Sequence, residues 1–431
     1  MKKLIVLCLV LSVFGFNSCL KDDCTSRQTF VRFDPILKTV EAIRSEYNVG
    51  PARELKSPGK IYVYNKYLFV NEVNEGIHIY DNTNPKNPIN LSFITIAGNR
   101  DMAVKSNVLY ADNAVDLLAI DLTEVSAPKL LKRLTSVFNK SYGWGIAANQ
   151  TILVGYSKSN VTQVIDCSSS NFGQSVFNGA GGVFWQNLDA SSSKVNASGA
   201  GFVGGGGSNI GVGGSQARFG IVGNYLYGID QSDLHVIYID DPKNPKEGKS
   251  ISVNWNIETL FPYKDKLFIG AQNGMYIMDN RNPEAPTLLS TFTHARSCDP
   301  VYVDGDIAYI TLSDGSACQN FTNELDVVDI STITSPKLIT KYPMQHPLGL
   351  SVLDKKLYLC EGKFGFKVFD AKNNLTIDIN LLSHLTTLAA YDVIALDASH
   401  LIVVGDTGLS QLDATDPKSI KTLSIIPISK N

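Results

Sequence analysis

Short apolar runs alternate with polar residues along most of this chain, and eight of them lead into a polar turn that is usually marked by proline. They read Gly76-Ile-His-Ile-Tyr-Asp81 before Pro85 and Pro88, Leu117-Leu-Ala-Ile-Asp121 before Pro128, and Val161-Thr-Gln-Val-Ile-Asp166. Leu234-His-Val-Ile-Tyr238 follows, before Pro242 and Pro245, then Gly274-Met-Tyr-Ile-Met-Asp279 before Pro283 and Pro286. The last three are Leu325-Asp-Val-Val-Asp329 before Pro336, Gly365-Phe-Lys-Val-Phe-Asp370, and Gly408-Leu-Ser-Gln-Leu-Asp413 before Pro417. The closing residues sit about 40 to 50 apart, with one gap of 72. Short strands on such a period predict stacked all-β units of the β-propeller type.

The second unit shows how a blade is written. Met102–Lys105 is one strand, Ser106-Asn107 a tight turn, Val108–Ala111 the next strand, Leu117–Asp121 the third and Lys129–Ser136 the fourth. Matching turns occur at Asn65-Lys66, Gly223-Asn224, Lys264-Asp265, Gly305-Asp306 and Asp354-Lys355, and such residues tolerate the positive φ of two-residue hairpins. The closing aspartate predicts a cap, its carboxylate accepting N–H bonds from the turn that follows. Its role is therefore structural. Tyr238 replaces it in the fourth unit, so that turn must be held differently. Eight units predict eight four-stranded blades, or seven if the degenerate third unit is incomplete.

Two segments break the rhythm. Asp34-Pro35 predicts a helix start, with Ile36, Val40 and Ile43 on one face up to about Tyr47, and Ala52–Lys56 reads as a strand that closes the ring. Residues 168–215 are rich in Gly, Ser and Asn and include an unbroken Gly204–Gly207 run, which predicts a long mobile loop with Phe184-Trp185 as its apolar exception.

The N-terminus changes the setting. Lys2 and Lys3 precede an apolar run, Leu4 to Phe16, too short to span a bilayer and ending at Phe16-Asn17-Ser18-Cys19. This resembles the relaxed lipobox of bacterial lipoproteins, which implies a signal peptide over 1–18, lipidation of Cys19, a tether with a short helix over 19–58 and a propeller over 59–431. Lys21-Asp22-Asp23 resembles the acidic tract that sends such proteins to the cell surface. The expected location is the bacterial outer membrane, on the outer or periplasmic side. In an exported protein Cys298 and Cys318, which flank one predicted hairpin, are candidates for a disulfide worth ~3 kcal/mol. Cys24, Cys167 and Cys360 have no evident partner. Of the 431 residues, 44% are hydrophobic and 18% charged, and the net charge of −3 gives no electrostatic case for nucleic acid.

The repeat resembles that of the LVIVD-repeat proteins, bacterial surface β-propellers, over roughly Gly59 to Ile428. The stretch His294-Ala-Arg-Ser-Cys-Asp-Pro-Val-Tyr-Val-Asp-Gly-Asp-Ile-Ala-Tyr-Ile-Thr-Leu312 carries it most specifically. The resemblance implies the fold and little chemistry.

Catalytic signatures are missing from the sequence: it holds no Gly-x-Ser-x-Gly, His-Glu-x-x-His, Cys-x-x-Cys or EF-hand loop. Gly199-Ala-Gly-Phe-Val-Gly204 lies in low-complexity sequence and does not read as a dinucleotide site. His78 and His235 fall in third strands, as packing or solvated side chains. One constellation remains. Asp101, Glu258, Asp299 and Asp392 each precede or enter an innermost strand beside the central channel, where converging carboxylates could bind Ca²⁺. Arg100, Arg218, Trp144, His346 and Tyr391 nearby could make a ligand pocket instead. The bland alternative is that all these groups satisfy backbone N–H groups around the channel. The reading is a non-enzymatic, lipid-anchored envelope propeller that serves as a protein-interaction scaffold, with glycan or metal binding at the channel mouth as the alternative and a hydrolase or lyase behind both.

Overall fold

The computed structural model describes residues 25–138, 150–166, 176–178, 184–187, 200–202, 210, 212–215, 217–294, 300–313 and 322–429. The chain divides into two compact units, residues 1–35 with 156–193 and residues 36–155 with 194–431. The larger is a β-propeller. Seven runs of four consecutive antiparallel strands form its blades: 58–95, 102–134, 219–252, 257–293, 301–343, 350–385 and 390–427, numbered here 1 to 7. Blades 2 and 3 pack directly on each other, through one apolar cluster that includes Tyr110, Phe138, Phe219 and Leu226. The ring closes where Ile61, Val63, Leu68 and Val70 of blade 1 meet Ile394, Ile402, Val404 and Leu409 of blade 7.

An eighth sheet accounts for the degenerate third unit. Thr151–Asp166, which holds it, pairs beside Thr25–Thr39, followed by Phe184–Asn187 and Val176–Asn178. The ring thus has the seven blades that an incomplete third unit leaves. Backbone pairing joins Arg32 to Trp185 and Phe33 to Phe184. The described pieces of 168–215 are strands, where the composition predicts a loop.

The helix is shorter and later than Asp34-Pro35 suggests. Val40–Ser45 is helical, capped by the Thr39 hydroxyl, which accepts from Ala42 N at 3.1 Å. Asp34 is spent on Arg32 within an extended strand, 2.8 Å from its Nε. Val40 and Ile43 are buried as expected, against Ala97, Val115, Ile152 and Val154, while Ile36 is exposed. Ala52–Lys56 contributes one parallel bridge, Leu55 to Ile428, rather than a full strand. Instead, Asn48–Pro51 adds to the outer edge of blade 1. Cys360 is a buried free thiol; Cys24 and Cys167 lie outside the described residues, as do Cys298 and Cys318 with their proposed bridge.

The closing aspartates do what their position predicts. Asp81, Asp121, Asp279, Asp329, Asp370 and Asp413 each accept from the backbone N–H two residues on, at 2.8 to 3.1 Å. Blade 3, which has Tyr238 there, keeps only a second cap, Lys243 N to Asp241 at 3.1 Å. Burial is minor at Asp121, and the Thr123 and Lys243 contacts hold its carboxyl down at about 2.

These turns receive the blade before them. The carbonyl four residues past the third strand's end accepts a hydroxyl from the preceding blade: Ser92 to Val125 at 3.4 Å, Tyr110 to Pro242 at 2.8 Å, Tyr227 to Pro283 at 2.9 Å. Ser290 to Ile333, Tyr342 to Asn374 and Ser424 to Pro85 repeat it, each at 2.6 Å. Only the junction of blades 6 and 7 departs from this, and there the buried hydroxyls of Tyr358 and Ser383 have no partner among the described residues. The closing junction adds a reciprocal amide pair, Asn82 Nδ2 to Gln411 Oε1 at 3.0 Å and Gln411 Nε2 to Asn82 Oδ1 at 2.6 Å.

Every blade carries a one-residue register shift between its third and fourth strands. Such bulges twist an open outer edge away from pairing with another chain. Glycine opens the third strand where the fourth strand's carbonyl comes too close for a side chain: a Cβ on Gly408 (φ 120) would lie 2.0 Å from Ile426 O.

Tyr227→Phe removes a hydroxyl shared across the junction between Asn280 Oδ1 at 2.8 Å and Pro283 O at 2.9 Å, and should lower stability by about 1–2 kcal/mol in urea unfolding. Tyr358→Phe, which removes a hydroxyl without a partner, should be neutral or stabilising.

Candidate functional site

The centre of the ring is occupied by the chain itself. Val212–Ser215 pairs with the inner strand of blade 1, Val212 opposite Val63 and Gly213 opposite Tyr62, and Ala200–Phe202 pairs with it in turn. This hairpin lies beside the inner strands of blades 4, 6 and 7. Gly213 and Gly214 place backbone without side chains beside these inner strands.

Around it runs a belt of buried charge. The Asp101 side chain, 3% exposed, accepts from Met102 N at 2.7 Å, Arg218 N at 2.5 Å and Phe219 N at 2.9 Å, so one carboxylate ties the inner strand of blade 2 to that of blade 3. Asp112 accepts from Arg100 N and Asp101 N, both at 2.8 Å, and from the Asn99 amide. Asp392 repeats the first device in blade 7, accepting from Val393 N at 3.0 Å and resting over Gly349 of blade 6, where a Cβ would clash at 2.2 Å. Arg100, Asp101, Asp112 and Arg218 line a small cleft with Phe138 and Phe219.

Lys60, in the inner strand of blade 1, completes the belt and is not singled out by any motif. Burial pulls its ammonium down to about 8, with Arg218 adding to that and Asp101, Asp392 and Asp112 opposing it. Burial likewise pushes the Asp112 carboxyl up to about 6, although the Asp101 and Arg100 N–H groups and both guanidinium groups pull the other way. The signal that could have found Lys60 is a lysine inside the alternating apolar run Gly59–Tyr64.

The remaining sequence candidates separate. Glu258 sits in the inner strand of blade 4, raised by burial and bonded to Gln272 Nε2 at 3.0 Å. Tyr391 donates to Asp406, and burial pushes its hydroxyl up to about 12. His346 lies against Gly362 in the connection between blades 5 and 6. Asp299 and Trp144 lie outside the described residues, as does Cys19. The charges of Asp101, Arg218 and Asp392 are felt at Lys60, Arg100 lines the cleft with Asp101 and Arg218, and the acids are turned onto backbone N–H groups. Among the described residues no cluster of three or more His, Cys, Asp or Glu side chains could hold a metal ion.

The third-strand histidines have partners that sequence reasoning missed. Fully buried His78 and Glu72 meet at 2.9 Å, and Glu72 also accepts from Lys56 N and Ser57 N, fastening the segment before blade 1. His235 and Asp230 meet at 3.1 Å in blade 3, and Lys367 pairs with Glu361 in blade 6. In all three blades the acid closes the second strand and its partner sits in the third. Such pairs fix register between strands.

Comparison with known proteins agrees with the repeat. The family model for the LVIVD repeat matches residues 295–343, a segment centred on blade 5. The chain carries an LVIVD repeat. No curated protein matches the chain. Among solved structures, a protein from Lactobacillus plantarum shares 10% identity at a TM-score of 0.52, over 86% of this chain and 97% of its own. The computationally designed Ika8 protein shares 9% identity at a TM-score of 0.46, over 88% of this chain and 92% of its own. Kluyveromyces lactis Hsv2 shares 10% identity at 0.46, over 85% and 98%. The L. plantarum likeness supports the propeller fold alone.

In the LVIVD unit of blade 5 the closing aspartate is Asp329, whose carboxylate caps Ser331 N at 2.8 Å. At the channel, Asp101→Ala leaves three backbone N–H groups without their acceptor and should cost roughly 2–4 kcal/mol in urea unfolding. Lys60 gives a distinct pH signature. Between pH 8 and 10.5 the unfolded chain holds a proton that the folded chain has released, so wild-type stability rises with pH by up to about 1.4 kcal/mol per unit. Lys60→Met should be the more stable protein at pH 7 and lose this advantage by pH 10.5.

Proposed function

We propose that this protein is a non-enzymatic, lipid-anchored β-propeller of the bacterial cell envelope that holds a protein partner. The observation that carries the reading is the Gly-rich hairpin along the inner strands. A ring whose centre is filled by its own chain, and whose central carboxylates are bonded to backbone, offers its rim and faces rather than a reaction chamber. A channel-mouth ligand, glycan or metal, would have to compete with that hairpin.

The rim offers one apolar surface unlike the others. The blade 6 turn lacks the paired prolines and exposes Leu375, Ile379 and Leu381 at 65%, 77% and 45% within seven residues. Its inner side is anchored, since Ile377 is buried and its N–H donates to Tyr342 Oη at 3.3 Å. An exposed apolar group on an anchored turn suits a partner interface. The anchor follows from Cys19 after the Leu4–Phe16 run, and multiple acyl chains give firm attachment.

Two measurements test this. Radiolabelled palmitate should mark the wild-type protein and not Cys19→Ala. Tagged protein solubilised from its own membranes in mild detergent should bring down a stoichiometric partner that Leu375→Asp/Ile379→Asp loses. Absence of any partner, or retention by the double variant, would count against the scaffold.

A further inference from the structure

Trp255 is the one aromatic residue among the exposed large apolar side chains of the described residues, at 65% exposure. It stands at the tip of the connection between blades 3 and 4, and that connection is held on both sides. Val253 N donates to Ser232 O at 3.0 Å and Ile257 N to Gln231 O at 3.2 Å. Before the tryptophan, Asn254 accepts from Trp255 N at 2.7 Å and its amide donates to Tyr276 Oη, which in turn donates to Asn273 at 3.1 Å. After it, Asn256 adopts φ 55 and its amide donates to Gln272 at 3.1 Å, while Gln272 donates to Glu258 at 3.0 Å. A non-glycine residue in the left-handed region is costly and persists where its surroundings enforce it.

The result is an indole ring carried on a fixed turn, bordered by Asn254, Asn256, Gln272 and Asn273, with the Glu258 carboxyl behind them. We propose that Trp255 is the stacking platform of a neutral-glycan site on blade 4. An indole face carries the negative lobe of its quadrupole and attracts the weakly positive C–H face of a pyranose. Side-chain amides offer both donors and acceptors beyond the bonds they already make, matching vicinal sugar hydroxyls. The local charge selects among occupants. Residues 253–259 and 272–273 contain no Lys or Arg and one acid, Glu258, whose charge Arg218 offsets, so the turn holds no surplus positive charge for an anionic sugar or an anionic membrane surface. A protein interface or membrane insertion would be served by several neighbouring apolar side chains, whereas Trp255 is the one large apolar residue exposed in this connection. The site is remote in sequence from the blade 6 turn and stands whether or not the scaffold reading does.

The test uses the detergent-solubilised full chain on an array of neutral and acidic oligosaccharides, followed by fluorescence titration with the best neutral oligosaccharide. Wild-type protein should bind neutral glycans. Trp255→Ala should weaken binding roughly tenfold or more with an unchanged melting temperature, and Trp255→Phe should fall between. Binding to no neutral glycan, or equal binding by Trp255→Ala, overturns the proposal. So does Trp255-dependent binding to phosphatidylcholine–phosphatidylglycerol vesicles in place of glycans. Loss of glycan binding with the co-purifying partner retained would separate this site from the partner interface.

Discussion

A hydroxyl that reaches from one blade to a turn carbonyl of the next is the contact on which the ring depends. A four-stranded blade cannot cover both of its apolar faces alone, so its stability comes from its neighbours. Apolar packing between blades is non-directional and tolerates sliding. The Tyr and Ser bonds to Pro242, Pro283, Val125, Ile333, Asn374 and Pro85 set the angle and height of neighbouring blades at six of the seven junctions, because every acceptor occupies the same position in its turn. The closing aspartates hold that turn in the shape that presents the carbonyl. The repeated sequence signature is thus one half of an inter-blade joint.

Closure has its own devices. No strand is exchanged between the first and last blades, each of which is built from consecutive residues. The Asn82–Gln411 amide pair, the Leu55–Ile428 bridge and the apolar cluster at that seam fasten the ends. Glu72 and His78 tie the entering segment to blade 1 from inside. Buried polar pairs of this kind specify one arrangement because any slip leaves their groups without partners.

The same economy governs the centre. Inner strands of seven blades approach one another closely, and what fills the remaining space is a glycine-rich hairpin with little side-chain volume. Asp101 and Asp392, at inner strands, are bonded to backbone, one across a blade junction. Lys60 is held beside them against the pull of desolvation. The centre therefore reads as a packed and charged interior.

The sequence by itself determined the strands, their hairpins and the capped turns, because a period of two in hydrophobicity and a turn's demand for Asp, Asn, Gly or Pro are local requirements. Its spacing put Asp101, Glu258 and Asp392 at or beside inner strands, where the structure has them. Only the tertiary structure decided the blade count, since Val161–Asp166 has the repeat's pattern but pairs with Thr25–Thr39 instead of building a blade. It likewise decided the pairing of two described pieces of the glycine-rich insertion, Ala200–Phe202 and Val212–Ser215, which join the inner strand of blade 1. The inter-blade hydroxyls, Lys60 and the His78 and His235 pairs were illegible for a common reason: their partners lie on other strands or other blades, and no local pattern records a contact made across a fold.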